Sequence, residues 1–355
     1  MKNPIEPWRR HGRAWKVFLA VLAFGYRCAW SCRQRFSCRP PRSVGVPVLS
    51  VGNLSVGGTG KSLVVHALAR YLVLRGKKPA IVLRGYGAAP GPRPLRVSTG
   101  PSTGIGARQV GDEAVEHAQT CGAAVWVDSD RVRAARAAVE QGARSVILDD
   151  GFQRRRQLAR NLDLLLADFE ELMAGEHLLP SGPWREPWSQ ASLADAVVVS
   201  GAPAGLQGEA LRGSLPGTWR SKAVFRLDRS PTHLESWPDG KMLPLAHLRR
   251  RRVLALSGLG RPQAFEDLLG RLSGEAPQAW RFRDHHPFTL AELGRPPAAA
   301  DMIVTTAKDR VRLPQSWKPP LPVLILRVEA EVSPSRPFWR LVGAALRTAT
   351  KEIPT

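Results

Sequence analysis

The stretch VPVLSVGNLSVGGTGKSLVVHALARYLVLR, residues 46–75, decides the fold. The apolar run at 46–51 reads as a buried strand, and 61–75 carries the spacing of a helix behind it. A glycine-rich turn joins the two. In that context backbone N–H groups close around phosphate oxygens, and the helix N-terminus adds a positive dipole. Ser55, Val56, Gly57, Gly58, Thr59, Gly60, Lys61 and Ser62 are therefore the candidate nucleotide-binding residues. Lys61 is placed to reach the β- and γ-phosphates, and the Ser62 hydroxyl to reach Mg²⁺. Ser55 stands where the usual G-x-x-x-x-G-K-[ST] pattern has its first glycine.

The pattern continues on both sides of this unit. Short apolar runs at 79–83, 123–127, 145–148, 163–167 and 196–200 alternate with helical stretches such as 131–141. Alternation of this kind predicts parallel strands with crossover helices, hence an α/β class with a P-loop NTPase-like parallel sheet flanked by helices. Ligands of such sheets collect beyond the carboxyl ends of the strands. The apolar run 146–148 ends there in Asp149-Asp150, as a strand does when it presents a carboxylate to Mg²⁺, and either Asp149 or Asp150 could be the ligand. A Pro- and Gly-rich stretch near 201–218 suggests a join. Beyond it, strands at 253–257, 302–305 and 323–328 and a closing helix near 336–349 predict a smaller C-terminal α/β domain. The expected division is 1–43, 44–215 and 216–355.

Charge and the N-terminus bound the partners. The 355 residues carry 52 Lys+Arg against 30 Asp+Glu, a formal +22, which implies a polyanionic partner. No Cys/His finger, aromatic RNP-like strand or helix-turn-helix accompanies that charge, so nucleic acid is not expected. At 17–26 the run VFLAVLAFGY is apolar and flanked by Arg9, Arg10, Arg13 and Lys16 on one side and Arg27, Arg33 and Arg35 on the other. It is short for a spanning helix, which needs about twenty apolar residues. Cations on both sides suit an interfacial helix, with Trp15 and Trp30 at the headgroup boundary of a membrane surface. Of the four cysteines, Cys28, Cys32, Cys38 and Cys121, the three in the N-terminal segment lack a nearby His to complete a tetrahedral site, and reduced thiols in a cytoplasmic protein are the simpler reading.

A string of further motifs resembles the tetraacyldisaccharide 4'-kinase family. They are VGNLSVGGTGKS at 51–62, RGYG at 84–87, GDEA at 111–114, DDGFQ at 149–153, LLPSGPWREP at 178–187, SGLGRP at 257–262, FRDHHPF at 282–288 and TTAKD at 305–309. Other P-loop proteins share the first element but not this succession, which covers about 45–315. The resemblance implies ATP-dependent phosphorylation of the 4'-hydroxyl of a tetraacylated glucosamine disaccharide 1-phosphate, with Mg²⁺. It implies that Asp112 and His285 act together on the hydroxyl proton. A carboxylate that fixes an imidazole tautomer does make the ring a better base near neutral pH. The implied substrate is an anionic glycolipid, and the implied place is the cytoplasmic face of the bacterial inner membrane, held peripherally or monotopically. No feature of the sequence demands an obligate protein partner.

Arg84, Arg131 and Arg185 are candidates for binding phosphate, since Arg matches phosphate bidentately. Lys308-Asp309 reads equally well as a hinge or a structural pair, and Arg249, Arg250, Arg251 and Arg252 as a solvated or membrane-facing patch. Five positions depart from the family's pattern: Ser62-Leu63 replace a usual Thr-Pro, Arg154 a usual His, Arg261 a usual Asn and Ala307 a usual Glu. The alternatives are a P-loop kinase for a different glycolipid, or a membrane-associated nucleotide-dependent switch. No N/T-K-x-D motif supports a guanine-selective switch.

Overall fold

The computed structural model describes residues 13–36, 40–89, 91–97, 107–297 and 299–347. Arg9, Arg10 and Cys38 lie outside them, as do the side chains of Arg13, Lys16, Arg33, Arg35 and Arg154. The chain forms two compact units: residues 1–228 with 330–355, and residues 229–329. The second cut returns the last helix to the first unit, where the expected division had kept it with the C-terminal part. The physical reason is packing. Phe338 is fully buried with its ring centroid 5.2 Å from that of Phe225, and Trp339 stacks on Tyr71 at 4.3 Å.

In the first unit the strands are β1 (Val48–Asn53), β2 (Pro79–Leu83), β3 (Leu95–Val97), β4 (Ala124–Val127), β5 (Ser145–Asp149), β6 (Leu162–Asp168), β7 (Ala196–Ser200) and the start of β8 (Ala223–Trp237). Their order is β8-β7-β6-β1-β5-β2-β4-β3. All pairs are parallel except the edge pair β3–β4. Every residue of β1, β2, β5, β6 and β7 is buried, which is why these strands read as continuous apolar runs. Helix α2 (Lys61–Leu74) follows β1, α3 (Asp112–Thr120) precedes β4, and α4 (Arg131–Glu140) follows β4. One apolar cluster gathers Val48, Val82, Trp126 and Leu148 with Val132 and Ala135 of α4. Another gathers Leu54, Phe152, Leu165, Trp184 and Trp219.

Helix α1 (Arg13–Phe36) is longer than the apolar run that signalled it. Leu19, Ala23, Tyr26 and Trp30, at i, i+4, i+7 and i+11, are its less exposed stripe. Ala23 and Tyr26 pack on the Trp184 cluster, and the Tyr26 hydroxyl donates to the Arg185 carbonyl at 2.7 Å. Val17, Phe18, Val21, Leu22 and Phe24 are exposed. No helix among the described residues is long and apolar enough to cross a membrane.

The second unit holds the parallel order β11-β10-β12-β13, from β10 (Val253–Ser257), β11 (Gln278–Arg281), β12 (Met302–Thr306) and β13 (Val323–Ser333). Short β9 (Met242–Leu243) pairs antiparallel with β8. Helix α5 (Gln263–Ser273) follows β10, and α6 (Ser335–Ala345) closes the chain in the first unit. Strand β8 gave no signal in sequence. Its burial is mixed and Pro231 interrupts it, so neither clean alternation nor a continuous apolar run is present.

Asp309 explains the TTAKD stretch in this unit. It is fully buried and accepts from the Gly258 N–H at 3.0 Å, from the Thr306 hydroxyl at 2.7 Å and from Arg312. Burial pushes its pKa up, against the pull of Arg312. Replacing it with Ala takes the carboxylate from a buried guanidinium. Asp309→Ala is expected to cost about 3–5 kcal/mol of stability in urea unfolding of the whole chain; a loss below about 1 kcal/mol would show that this staple is not structural.

Candidate active site

The carboxyl edge of the first unit's sheet collects the site. The order β1-β5-β2-β4 sets side by side the loop after β1, Asp149-Asp150 after β5, Arg84 after β2 and Arg131 after β4. Gly60 caps α2 with φ 89°, a left-handed conformation that turns the loop into the helix. Gly57 has a different reason to be glycine. A Cβ there would lie 2.2 Å from Oε1 of the buried Glu171.

Asn53, the last residue of β1, organises the centre. Its Oδ1 accepts from Lys61 Nζ at 2.9 Å and from Arg185 Nη2 at 2.6 Å. Its Nδ2 donates to the Gly57 carbonyl at 3.2 Å, and its own carbonyl accepts from Gln153 Nε2 at 2.6 Å. Asp150 completes the set: its Oδ1 accepts from Lys61 at 2.7 Å and from Arg185 at 3.4 Å. Burial alone would raise the Asp150 pKa, but Lys61 and Arg185 outweigh it and hold the group down to about 2. Asp150 sits at φ 51°, in the left-handed region that Asp tolerates better than most residues.

The segment carrying Arg185 is braced against the start of the loop. Val56 N–H donates to the Pro183 carbonyl at 2.9 Å, and Arg185 N–H to the Leu54 carbonyl at 2.7 Å. The fully buried Trp184 anchors this turn, and the adjacent Glu186, whose pKa burial raises, accepts a hydrogen bond from Trp30 of α1. The LLPSGPWREP motif is thus the outer wall of the phosphate loop.

Asp149 is almost fully buried, and its two oxygens differ. Oδ2 accepts from His117 Nε2 at 2.8 Å, while Oδ1 has no hydrogen-bond partner among the described residues. Burial disfavours protonation of His117, but Asp149 and Cys121 outweigh it and leave its pKa well above the usual imidazole value. An orphaned carboxylate oxygen in this place fits a hard cation such as Mg²⁺, which takes oxygen ligands. Ser62, on the first turn of α2, and Asp150 are the other donors that sequence singled out for it.

The remaining candidates fall as follows. Asp112 opens α3, half-buried, after Gly111 at φ 86°. A Cβ on Gly111 would stand 2.5 Å from the Tyr86 carbonyl, so the RGYG and GDEA turns meet backbone to backbone. Arg84 is exposed. Arg131 is buried, and its guanidinium donates to the Asp128 carbonyl at 3.0 Å, which ties α4 to the end of β4. His285 lies in the second unit at φ 57°, with its Nε2 3.2 Å from Lys308 Nζ and 3.9 Å from Asp284 Oδ1. His286 instead stacks on Phe282 and bonds Glu292 at 3.0 Å. Sequence reading missed Asn53, Gln153, His66 and His117, and it missed that Lys308 accompanies His285. Asn53 and Gln153 lie inside quoted motifs and could have been found there; the histidines carried no signal.

A sequence profile described as tetraacyldisaccharide-1-P 4'-kinase matches residues 15–347. A tetraacyldisaccharide 4'-kinase of Syntrophus aciditrophicus is 37% identical, with 95% of each chain covered. One from Anaeromyxobacter dehalogenans is 42% identical over 77% of this chain and 74% of its own. The crystal structure of LpxK from Aquifex aeolicus, described as an "apo" form in complex with ATP, superimposes with a TM-score of 0.75 at 28% identity. It covers 93% of this chain and 99% of its own.

The depressed Asp150 pKa sets an acid limb for the nucleotide-free protein. A group whose folded pKa is lowered stabilises the fold above its unfolded pKa of about 4, and that contribution is lost as pH falls through about 2. The Asp150 side chain is 38% exposed, so screening reduces the effect to roughly 1 kcal/mol. Asp150→Asn is therefore expected to be less stable than the parent at pH 6–7 and to converge with it near pH 2. Parallel stability curves across that range would refute the ion pair.

Proposed function

This chain belongs to the tetraacyldisaccharide-1-P 4'-kinase family, and from that premise we propose how its residues perform the reaction. It is an ATP-dependent kinase of lipid A biosynthesis that phosphorylates the 4'-hydroxyl of a tetraacyldisaccharide 1-phosphate. The observation that supports the division of labour is the cluster of Lys61, Asn53, Asp150 and Arg185 at the mouth of the loop.

Phosphoryl transfer requires positioning, charge neutralisation and removal of the hydroxyl proton. Backbone N–H groups of residues 55–62 surround the β- and γ-phosphates. Lys61, held at 2.7–2.9 Å by Asp150 and Asn53, meets them with its side chain already ordered. Arg185 supplies a second cation, whose planar fork suits phosphate. Ser62, Asp149 and Asp150 would hold Mg²⁺, which would supply positive charge against the charge that develops on the phosphates.

Asp112 and His285 are each assigned to removal of the acceptor's proton, by their places in the GDEA and DHH motifs. As the 4'-oxygen forms its bond to the γ-phosphorus and the bond to the β-phosphate oxygen breaks, the hydroxyl proton goes to a base and ADP leaves. Arg84, exposed on the same edge, is available to the 1-phosphate of the substrate. The outward Val17, Phe18, Val21 and Phe24 of α1 rest on the membrane at the headgroup level, at the cytoplasmic face where the lipid is met. Anionic lipid phosphates suit the basic chain.

The test is transfer of label from γ-labelled ATP to tetraacyldisaccharide 1-phosphate in detergent micelles. Asp112→Ala and His285→Ala are each expected to lower kcat by roughly 10²–10⁴-fold, and EDTA to abolish transfer. Turnover of either variant within a few-fold of the parent would remove that residue from proton transfer. Transfer that survives EDTA would remove the metal.

A further inference from the structure

Below the phosphate loop, two buried histidines unused by the reaction scheme form a chain of contacts that ends on Asp149. His66 Nε2 lies 2.9 Å from His117 Nδ1, and His117 Nε2 lies 2.8 Å from Asp149 Oδ2. His117 is fully buried and His66 is 6% exposed. The two rings meet edge to face, with centroids 5.0 Å apart. We propose that His66 and His117 are positioning residues: a hydrogen-bonded clamp that fixes the rotamer of Asp149 and so aims its second oxygen at the metal of the nucleotide complex. The proposal rests on the reading of Asp149 as a metal ligand.

Donor and acceptor counting supports the clamp. An ionised carboxylate only accepts, so His117 Nε2 must carry the proton it shares with Asp149. The contact between His117 Nδ1 and His66 Nε2 then holds one proton, whichever ring supplies it. Asp149 Oδ2 is thereby engaged, and Oδ1 is left without a partner among the described residues. Outer-sphere hydrogen bonds of this kind orient metal-binding groups in many proteins.

The placement of the two histidines adds to the case. His66 lies four residues after Ser62 on α2, one turn along the same face. His117 lies five residues after Asp112 on α3. The clamp therefore ties together α2, α3 and β5, the elements that carry Ser62, Asp112 and Asp149. A shift of any one of them would stretch a buried contact.

The same groups invite another reading, because donor atoms of His66, His117 and Cys121 lie within 4.8 Å of one another. Distances decide against a zinc ion there. Two nitrogens about 2.0–2.1 Å from one tetrahedral ion stand roughly 3.3 Å apart, and a structural site takes four ligands. The nitrogens here are 2.9 Å apart, a hydrogen-bond length.

The experiment uses the full chain as wild type, His117→Leu, His117→Gln and Asp149→Asn. Mn²⁺ binding in the presence of ADP is followed by EPR, alongside kcat, KM for ATP, thermal unfolding and elemental analysis for zinc. His117→Leu should weaken Mn²⁺ binding and kcat by roughly 10–100-fold while KM for the lipid holds. His117→Gln, whose amide can donate to Asp149 and accept from His66, should recover to within a few-fold. Should His117→Leu fail to fold, the Gln variant decides: near-parental Mn²⁺ affinity supports the clamp, and a loss equal to that of Asp149→Asn overturns it. Parental affinity in His117→Leu with a loss in Asp149→Asn overturns the clamp and leaves the ligand reading standing. Parental affinity in Asp149→Asn overturns the ligand reading itself, and the clamp with it. About one zinc per chain overturns it in favour of a bound ion.

Discussion

The carboxylate of Asp150 and the amide oxygen of Asn53 hold the Lys61 ammonium at 2.7 and 2.9 Å, and the rest of the first unit is arranged around that grip. Asp150 gives that ammonium its counter-charge, and against the pull of burial Lys61 and Arg185 in turn hold the Asp150 pKa low. The two acceptors come from the end of β1 and the residue just after its neighbour β5, strands whose register pairs Val51 with Asp149. Parallel pairing of two fully buried strands thus places a polar triad at their shared end. Arg185 enters the same triad from a turn that is itself bonded to the loop at Leu54 and Val56.

Layers of increasing distance keep that centre in place. Trp184 fills the core behind Arg185, and α1 reaches the same turn through Tyr26 and Trp30. The helix that offers apolar side chains to solvent on one face is therefore fastened, on the other, to the wall of the phosphate loop. The helix with the exposed apolar face and the wall of the loop meet at one turn of chain. In the second unit the buried Asp309 staple frees Lys308 to stand beside His285, so adjacent residues of one motif do different work.

Much of this was legible in sequence because it is local. The strand–loop–helix at 46–75, the apolar run ending in Asp149-Asp150 and the parallel alternation need only neighbours along the chain, and those elements lie within a few residues of where periodicity set them. What could not be read depends on partners far apart. Asn53 and Arg185 are separated by 132 residues and His66 and His117 by 51, and nothing in either neighbourhood announces the other. Arg131 shows a different limit of sequence reading. An Arg at the head of a helix on the carboxyl edge invites a phosphate, yet its guanidinium is buried against the Asp128 carbonyl. Residue type gave the chemistry, and only burial could give the role.

The central claim is that Lys61 is a phosphate-binding cation presented in an ordered state, and not simply one half of a structural ion pair. Calorimetric titration of ATP into wild type and Lys61→Ala, without lipid, tests it directly. The account predicts saturable binding by the wild type, weakened at least roughly tenfold in the variant, or about 1.4 kcal/mol. Equal affinities, with both proteins folded, would contradict it and leave Lys61 as scaffolding for Asp150.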